Sequence, residues 1–187
     1  MLNIPNMLTL TRIILVPVFI VALFQGYCKV SLCIFLFAGV TDALDGFIAR
    51  RFNMCTRLGA VLDPLADKLL VVSSMLAFGW LGRLPIWLVA TVIVRDMLII
   101  CGALAYFFLT GELEMEPSGL SKGNTFIQIT LVLLVLANGA GFRSLSPLVS
   151  LMIPLGFAMA LISGAHYVVV WTRRALSARQ SNTVSRP

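Results

Sequence analysis

The sequence predicts an all-α, polytopic integral membrane protein with six transmembrane helices. Of its 187 residues, 59% are hydrophobic and only 12% are charged, which is about half the charged share of an ordinary soluble domain. The apolar residues fall into six blocks, each close to the ~20 residues that a helix needs to cross a bilayer. Short connectors that contain glycine or proline separate most of these blocks.

Each block predicts one helix, with bounds at roughly 7–26, 29–50, 58–81, 84–110, 121–139 and 147–171. We expect the first, which ends at Gly26, to be a membrane span and not a cleavable signal, because it lacks a basic start and further apolar blocks follow. The second ends at two arginines, the third before Pro85, and the fourth before a loop with three glutamates. The fifth ends at Gly139 and the sixth before two further arginines. We therefore expect one membrane domain over residues 1–177 and a disordered polar tail over 178–187.

The basic residues predict an orientation. Six crossings place both termini on the same side of the membrane, and that side receives eight of the basic residues near helix ends: Arg50, Arg51, Arg57, Lys122, Arg173, Arg174, Arg179 and Arg186. The opposite side receives three: Lys29, Arg83 and Arg143. Positive residues favour the cytoplasmic side, so we expect both termini to be cytoplasmic. The net charge of +6 then reflects contact with anionic lipid headgroups, and no nucleic-acid partner is expected.

Four aspartates carry the chemical signal of the chain: Asp42, Asp45, Asp63 and Asp67. They lie in apolar helical sequence, where a charge is costly and usually marks function. Spacings of three and four residues place each pair on one face of its helix. Carboxylates that converge from two helices suit hard divalent cations, so we expect two Mg²⁺ or Mn²⁺ ions at a phosphoryl-transfer site. A cation transporter is the alternative from another functional class.

Neighbouring residues fit such a site. Gly46 and Gly59 allow close approach of a second helix or a ligand, and Arg50 can bind a phosphate through two hydrogen bonds. Asp67 is the candidate general base. The four scattered cysteines and single histidine argue against a zinc site and against a disulfide framework.

These residues give the chain a specific resemblance. Residues 42–50 read DALDGFIAR, eight residues follow, and residues 59–67 read GAVLDPLAD. This segment resembles the signature of the CDP-alcohol phosphotransferase family of integral membrane enzymes without a mismatch. The resemblance implies six helices, a homodimer, and transfer of a substituted phosphoryl group from a CDP-linked donor to an alcohol with release of CMP.

The resemblance also implies residue roles. Asp42, Asp45 and Asp63 are then metal ligands, and Asp67 is both a ligand of the second metal and the base that deprotonates the acceptor hydroxyl. The CDP group is then bordered by four residues: Gly46, Ala49, Arg50 and Gly59.

Three further segments resemble the branch of this family that makes phosphatidylglycerophosphate or cardiolipin: Asn3-Ile-Pro-Asn6, Val94-Arg95-Asp96 and Ser163-Gly164-x-x-Tyr167. This branch implies CDP-diacylglycerol as donor and an inner bacterial membrane, with the active site facing the cytoplasm. The expected acceptor is glycerol 3-phosphate, with phosphatidylglycerol as the alternative, because Asn124 stands where bacterial phosphatidylglycerophosphate synthases usually carry a second lysine. The candidate acceptor-binding residues are Lys122, Arg95 and Arg12, while Arg95 with Asp96 is equally readable as a buried structural ion pair.

Overall fold

The structure is a computed structural model that describes the backbone of residues 4–51, 57–110 and 119–184. Side chains are described for residues 11–41, 68–102 and 119–170. Within these ranges the chain forms six α-helices, a single 3-10 turn at Arg143–Leu145, and no strand. The helices are α1 (Ile4–Phe24), α2 (Cys28–Arg51), α3 (Arg57–Trp80), α4 (Ile86–Thr110), α5 (Gly119–Gly139) and α6 (Ser146–Val184). The prediction of an all-α protein with six helices is confirmed.

The structure differs from the sequence prediction at the C-terminus. Helix α6 continues to Val184, whereas the sequence analysis expects a disordered tail from residue 178. Residues 178–180 are Ala, Arg and Gln, which are good helix formers, and neither glycine nor proline interrupts the chain before Pro187. Polar composition alone therefore does not end this helix.

Two helical segments of the described residues are long and apolar enough to cross a membrane: Gly119–Gly139 and Arg143–Val170. Three shorter apolar segments, Thr11–Phe24, Cys28–Thr41 and Lys68–Trp80, belong to α1, α2 and α3. Only part of each of these three helices has described side chains. A crossing by all six helices therefore stays a prediction.

The chain divides into two compact units. Unit 1 comprises Met1–Pro85 and Ile129–Ser150, and unit 2 comprises Ile86–Gln128 and Leu151–Pro187. In unit 1, α1 packs against both α2 and α3. Phe19 of α1 is completely buried and its ring lies 6.0 Å from that of Phe35 of α2. The first helix therefore forms part of the folded core.

Three helices in unit 1 end in the same hydrogen-bonded glycine motif. Gly26, Gly82 and Gly141 all have positive φ, at 81°, 67° and 118°. After each glycine, the next N–H donates to a carbonyl five residues back: Tyr27 to Ala22, Arg83 to Phe78 and Phe142 to Ala137. This is the Schellman arrangement, in which glycine adopts a left-handed conformation that other residues rarely take. It explains why these predicted connectors end their helices.

A close contact in unit 1 joins the end of α5 to the start of α2. Arg83 donates a hydrogen bond from Nη1 to Sγ of the buried Cys28 over 3.0 Å. A Cβ at Gly139 would lie 2.8 Å from that nitrogen and 3.0 Å from that sulfur. Glycine at 139 therefore permits this approach.

In unit 2, α6 packs against both α4 and α5. The rings of Trp87 on α4 and Phe157 on α6 meet edge to face at 5.0 Å. A Cβ at Gly123 of α5 would lie 3.4 Å from Cε of Met159 on α6. These contacts hold the three helices of unit 2 together.

Candidate functional site

A buried arginine joins the three helices of unit 2. Arg95 lies in α4 and is 4% exposed. Its Nη1 donates to Oδ1 of Asp96 at 2.9 Å, and its Nη2 donates to Oγ of Ser121 on α5 at 2.7 Å. Ser163 on α6 accepts from both Nε and Nη2, at 3.2 and 2.6 Å. All three guanidinium nitrogens are therefore hydrogen-bonded, as a buried charge requires.

The face of α6 is shaped to receive this side chain. Tyr167 lies one turn after Ser163 and its ring centroid is 5.8 Å from Cζ of Arg95, within the range of a cation–π contact. Gly164 lies between them, and a Cβ there would be 3.5 Å from Cγ of Arg95. The segment Ser163-Gly164-x-x-Tyr167 thus contributes a hydroxyl, a close approach and an aromatic face to the same arginine.

The structure pairs Arg95 with its neighbour Asp96. The two side chains form a buried ion pair and are 4% and 5% exposed. Removal of either partner would leave an uncompensated buried charge. The predicted role of Arg95 in acceptor binding stays a prediction.

Two buried amides follow on α5. Asn124 is completely buried and Gln128 is 2% exposed. Within the described part of the chain, neither the oxygen nor the nitrogen of either side-chain amide has a hydrogen-bond partner. An unsatisfied buried polar group costs about 1–3 kcal/mol, so each amide is an expensive choice for a purely structural position. The sequence analysis weighed Asn124 in the choice of acceptor but counted neither amide among the candidate site residues, although polar residues at 121, 124 and 128 of an apolar helix are a visible signal.

The other two candidate acceptor-binding residues lie in different surroundings. Lys122 is exposed and belongs to the same unit as Arg95. It follows Ser121, which contacts Arg95. Arg12 belongs to unit 1, on α1, and is 1% exposed. A fully buried arginine in an otherwise apolar helix is unusual, which keeps Arg12 a candidate for binding an anion.

The four aspartates lie on consecutive helices. Asp42 and Asp45 belong to the last turns of α2, and Asp63 and Asp67 to the first turns of α3. Because an α-helix turns about 100° per residue, the two members of each pair lie within about 60° of one another around their helix axis. Gly46, Ala49 and Arg50 continue along α2, and Gly59 opens α3.

The side chains of all these residues lie outside the described part of the structure. Convergence of the carboxylates on metal ions therefore stays a prediction. Among the side chains that are described, no group of three or more His, Cys, Asp or Glu could hold a metal. The hard oxygen donors that Mg²⁺ and Mn²⁺ prefer are carried by α2 and α3.

Comparison with known proteins gives relatives along nearly the whole chain. A probable phosphatidylglycerophosphate synthase of Mycobacterium tuberculosis is 33% identical over 172 residues, which cover 89% of this chain and 80% of that protein. A CDP-diacylglycerol–glycerol-3-phosphate 3-phosphatidyltransferase of Salmonella paratyphi A is 45% identical over 105 residues, covering 52% of this chain and 56% of that protein.

Relatives named as cardiolipin synthases have comparable sequence identity. A probable cardiolipin synthase (CMP-forming) of Drosophila melanogaster is 35% identical over 147 residues, covering 70% of this chain but only 46% of that protein. This chain thus spans less than half of that relative.

The family comparison includes both the aspartate segments and the buried arginine. The family model described as CDP-alcohol phosphatidyltransferase matches residues 2–171, a range that contains every candidate site residue named above. This chain therefore belongs to the CDP-alcohol phosphatidyltransferase family.

Proposed function

We propose that this protein is a CDP-diacylglycerol-dependent phosphatidyltransferase that uses glycerol 3-phosphate as acceptor and releases CMP. The observation that carries the proposal is the family match over residues 2–171, together with two relatives whose names specify phosphatidylglycerophosphate synthesis. An intramembrane cation transporter has no support from these comparisons. The transporter reading also leaves Arg50 and the two glycines beside the aspartates unexplained.

The proposed reaction forms one bond and breaks one bond. The acceptor hydroxyl oxygen attacks the donor phosphorus that carries diacylglycerol, and the bond from that phosphorus to the bridging oxygen breaks. CMP leaves with the electron pair. Asp67 takes the hydroxyl proton, because a carboxylate within hydrogen-bond reach is a competent general base.

The remaining residues bind the substrates. We assign Asp42, Asp45, Asp63 and Asp67 as ligands of two divalent cations, Mg²⁺ or Mn²⁺, which when bound neutralise charge on the phosphates. We assign Gly46, Ala49, Arg50 and Gly59 to the CDP group, where a guanidinium can bind a phosphate through two hydrogen bonds. Arg95, Lys122 and Arg12 are assigned to the acceptor, whose phosphate is a dianion that cations attract.

The same proposal places the protein in a membrane. Six crossings with both termini cytoplasmic would bring the aspartate-bearing ends of α2 and α3 to the cytoplasmic face, in an inner bacterial membrane. Two helical segments of sufficient length and hydropathy support a membrane location, and the distribution of basic residues supports the orientation. We further propose a homodimer, on the family resemblance alone.

Phosphatidylglycerol is the second candidate acceptor. The cardiolipin synthase relative is about as similar in sequence as the mycobacterial one. A neutral residue at position 124, where a second cation would otherwise be expected, also suits the singly charged phosphodiester of phosphatidylglycerol. One assay separates the two candidates. The purified protein in detergent, with Mg²⁺ or Mn²⁺, receives CDP-diacylglycerol and either acceptor, and mass spectrometry identifies the lipid product.

The expected product is phosphatidylglycerophosphate with release of CMP. Cardiolipin as the sole product would move the assignment to the second candidate. Metal flux into liposomes without CMP release from any acceptor would contradict the enzyme proposal.

The assignment of Asp67 as base has its own test. Asp67→Asn is expected to lower turnover at least ~100-fold, since general acid–base catalysis contributes about 10²–10⁴-fold, while CDP-diacylglycerol still binds. Glu112→Gln is the matched control, because it makes the same isosteric change in a glutamate that the sequence places in the loop before α5. Full activity in Asp67→Asn would refute the assignment.

A further inference from the structure

The two buried amides on α5 carry an inference about how the acceptor is recognised. Asn124 and Gln128 are at least 98% buried, and their four amide atoms have no hydrogen-bond partner within the described residues. Buried polar groups in folded proteins are nearly always hydrogen-bonded. Two such amides on one helix face leave four polar atoms available to a bound molecule.

Their position connects them to the buried arginine of the same unit. Ser121, Asn124 and Gln128 recur at spacings of three and four, so they lie in one row along α5. With a rise of about 1.5 Å per residue, Asn124 lies about 4.5 Å and Gln128 about 10.5 Å along the axis from Ser121. Ser121 in turn accepts a hydrogen bond from Nη2 of Arg95. The row therefore begins at a hydroxyl that contacts Arg95 and continues to two neutral amides.

This order of groups matches one chemical class. A guanidinium binds phosphate, whereas an amide offers one acceptor oxygen and two donor hydrogens, which together complement a hydroxyl group. Building on the proposed function, we propose that Asn124 and Gln128 recognise the 2,3-dihydroxypropyl group of the acceptor, and in particular its non-reacting 2-hydroxyl. Glycerol 3-phosphate and phosphatidylglycerol both carry this group. The amides thus select a glycerol ester of phosphate and do not by themselves distinguish these two acceptors.

The consequence is discrimination against an acceptor that lacks the 2-hydroxyl. 3-Hydroxypropyl phosphate keeps a reactive hydroxyl and the phosphate but has hydrogen in place of that group. Sites built to hydrogen-bond a hydroxyl reject analogues without it by as much as 10⁴–10⁵-fold. We expect the unaltered protein to use 3-hydroxypropyl phosphate with a kcat/KM at least ~100-fold below that for glycerol 3-phosphate.

Two variants test whether the amides cause this preference for glycerol 3-phosphate. Asn124→Leu and Gln128→Met remove the amides and nearly conserve volume. Each is expected to reduce the discrimination to less than ~10-fold through a higher KM for glycerol 3-phosphate, since each forfeits a hydrogen bond to the substrate. The KM for CDP-diacylglycerol is expected not to change. The Tm of the acceptor-free protein is expected not to fall, because each substitution removes an unpaired buried polar group. Thr125→Val is the matched control: it lies on the same helix, and its hydroxyl donates to the backbone oxygen of Ser121.

The outcomes separate this inference from the proposed function. CMP release with equal kcat/KM for glycerol 3-phosphate and 3-hydroxypropyl phosphate would overturn the amide assignment alone. Absence of CMP release with every acceptor, phosphatidylglycerol included, would overturn both. Unchanged discrimination in both amide variants would show that the amides hold only structural water and would also overturn the assignment. The comparison of acceptors on the unaltered protein can overturn the assignment even if the variants fail to fold.

Discussion

Ser163 accepts two hydrogen bonds from the buried side chain of Arg95, whereas Ser121 accepts one. Oγ of Ser163 accepts hydrogen bonds from Nε and Nη2 of Arg95, at 3.2 and 2.6 Å. Ser163→Ala removes both bonds while the bonds to Asp96 and Ser121 remain. The substitution creates almost no cavity, since only one oxygen is lost. It therefore tests how much the hydrogen bonding of this guanidinium contributes to the fold and to acceptor binding.

The magnitude follows from these contacts. A hydrogen bond to a charged group contributes about 1.5–3 kcal/mol. Because the two bonds share one oxygen and Nη2 keeps its bond to Ser121, we expect a loss near the middle of that range, about 2 kcal/mol. For a chain of this length such a loss lowers Tm by roughly 4–8 °C. The guanidinium would also be less fixed in orientation, so we expect the KM for the acceptor to rise about 10-fold, the factor that 1.4 kcal/mol represents.

Two measurements on the purified protein in detergent check this. Thermal unfolding gives the change in Tm, and initial rates of CMP release give KM separately for acceptor and donor. Ser150→Ala is the matched control, because Ser150 is exposed on the same helix and its hydroxyl donates only to the backbone oxygen of Ser146. We expect the control to change Tm by less than about 2 °C, as surface substitutions usually stay within 0.5 kcal/mol.

The result that would refute this reasoning is a Ser163→Ala protein with the Tm and acceptor KM of the control. A lower Tm with an unchanged acceptor KM would leave Ser163 a structural residue and remove Arg95 from the acceptor site. An equal rise in KM for donor and acceptor would indicate a general distortion of the protein. Only a rise in KM that is confined to the acceptor supports the role of Ser163 in orienting the Arg95 guanidinium.

Two further predictions concern the close helix contact and the metals. Gly139→Ala would place a Cβ 3.0 Å from Sγ of Cys28, so we expect the free energy of unfolding to fall by about 1–3 kcal/mol. Thermal unfolding measures this change, and Cys28→Ala in the same chain should recover part of it. An unchanged Tm would contradict the contact. Gly39→Ala is the matched control, because nothing lies within 4 Å of its added Cβ and alanine favours a helix by up to ~1 kcal/mol. Removal of divalent cations with a chelator is expected to abolish CMP release, and Mg²⁺ or Mn²⁺ should restore it; CMP release that persists after exhaustive chelation would exclude a metal-dependent reaction.

Local features of the sequence determine where the helices lie. The six apolar blocks give the six helices, and glycines at 26, 82 and 141 end three of them, because a left-handed residue after the last turn satisfies the free carbonyls. The expectation for the C-terminus differs from the structure. There, polar residues suggest disorder from residue 178, but α6 continues to Val184, and neither glycine nor proline interrupts residues 178–184.

By itself, the sequence determined the helix order, the placement of the aspartate segments on α2 and α3, and the family, because each is encoded in contiguous residues. The partners of Arg95 were decided only by the tertiary structure, since Ser121 and Ser163 lie 26 and 68 positions away along the chain. Burial of Asn124 and Gln128 was decided there as well, because a periodic pattern shows that polar residues share a face but not what covers that face. Contacts between distant segments depend on how helices pack, and helix packing is a property of the whole fold.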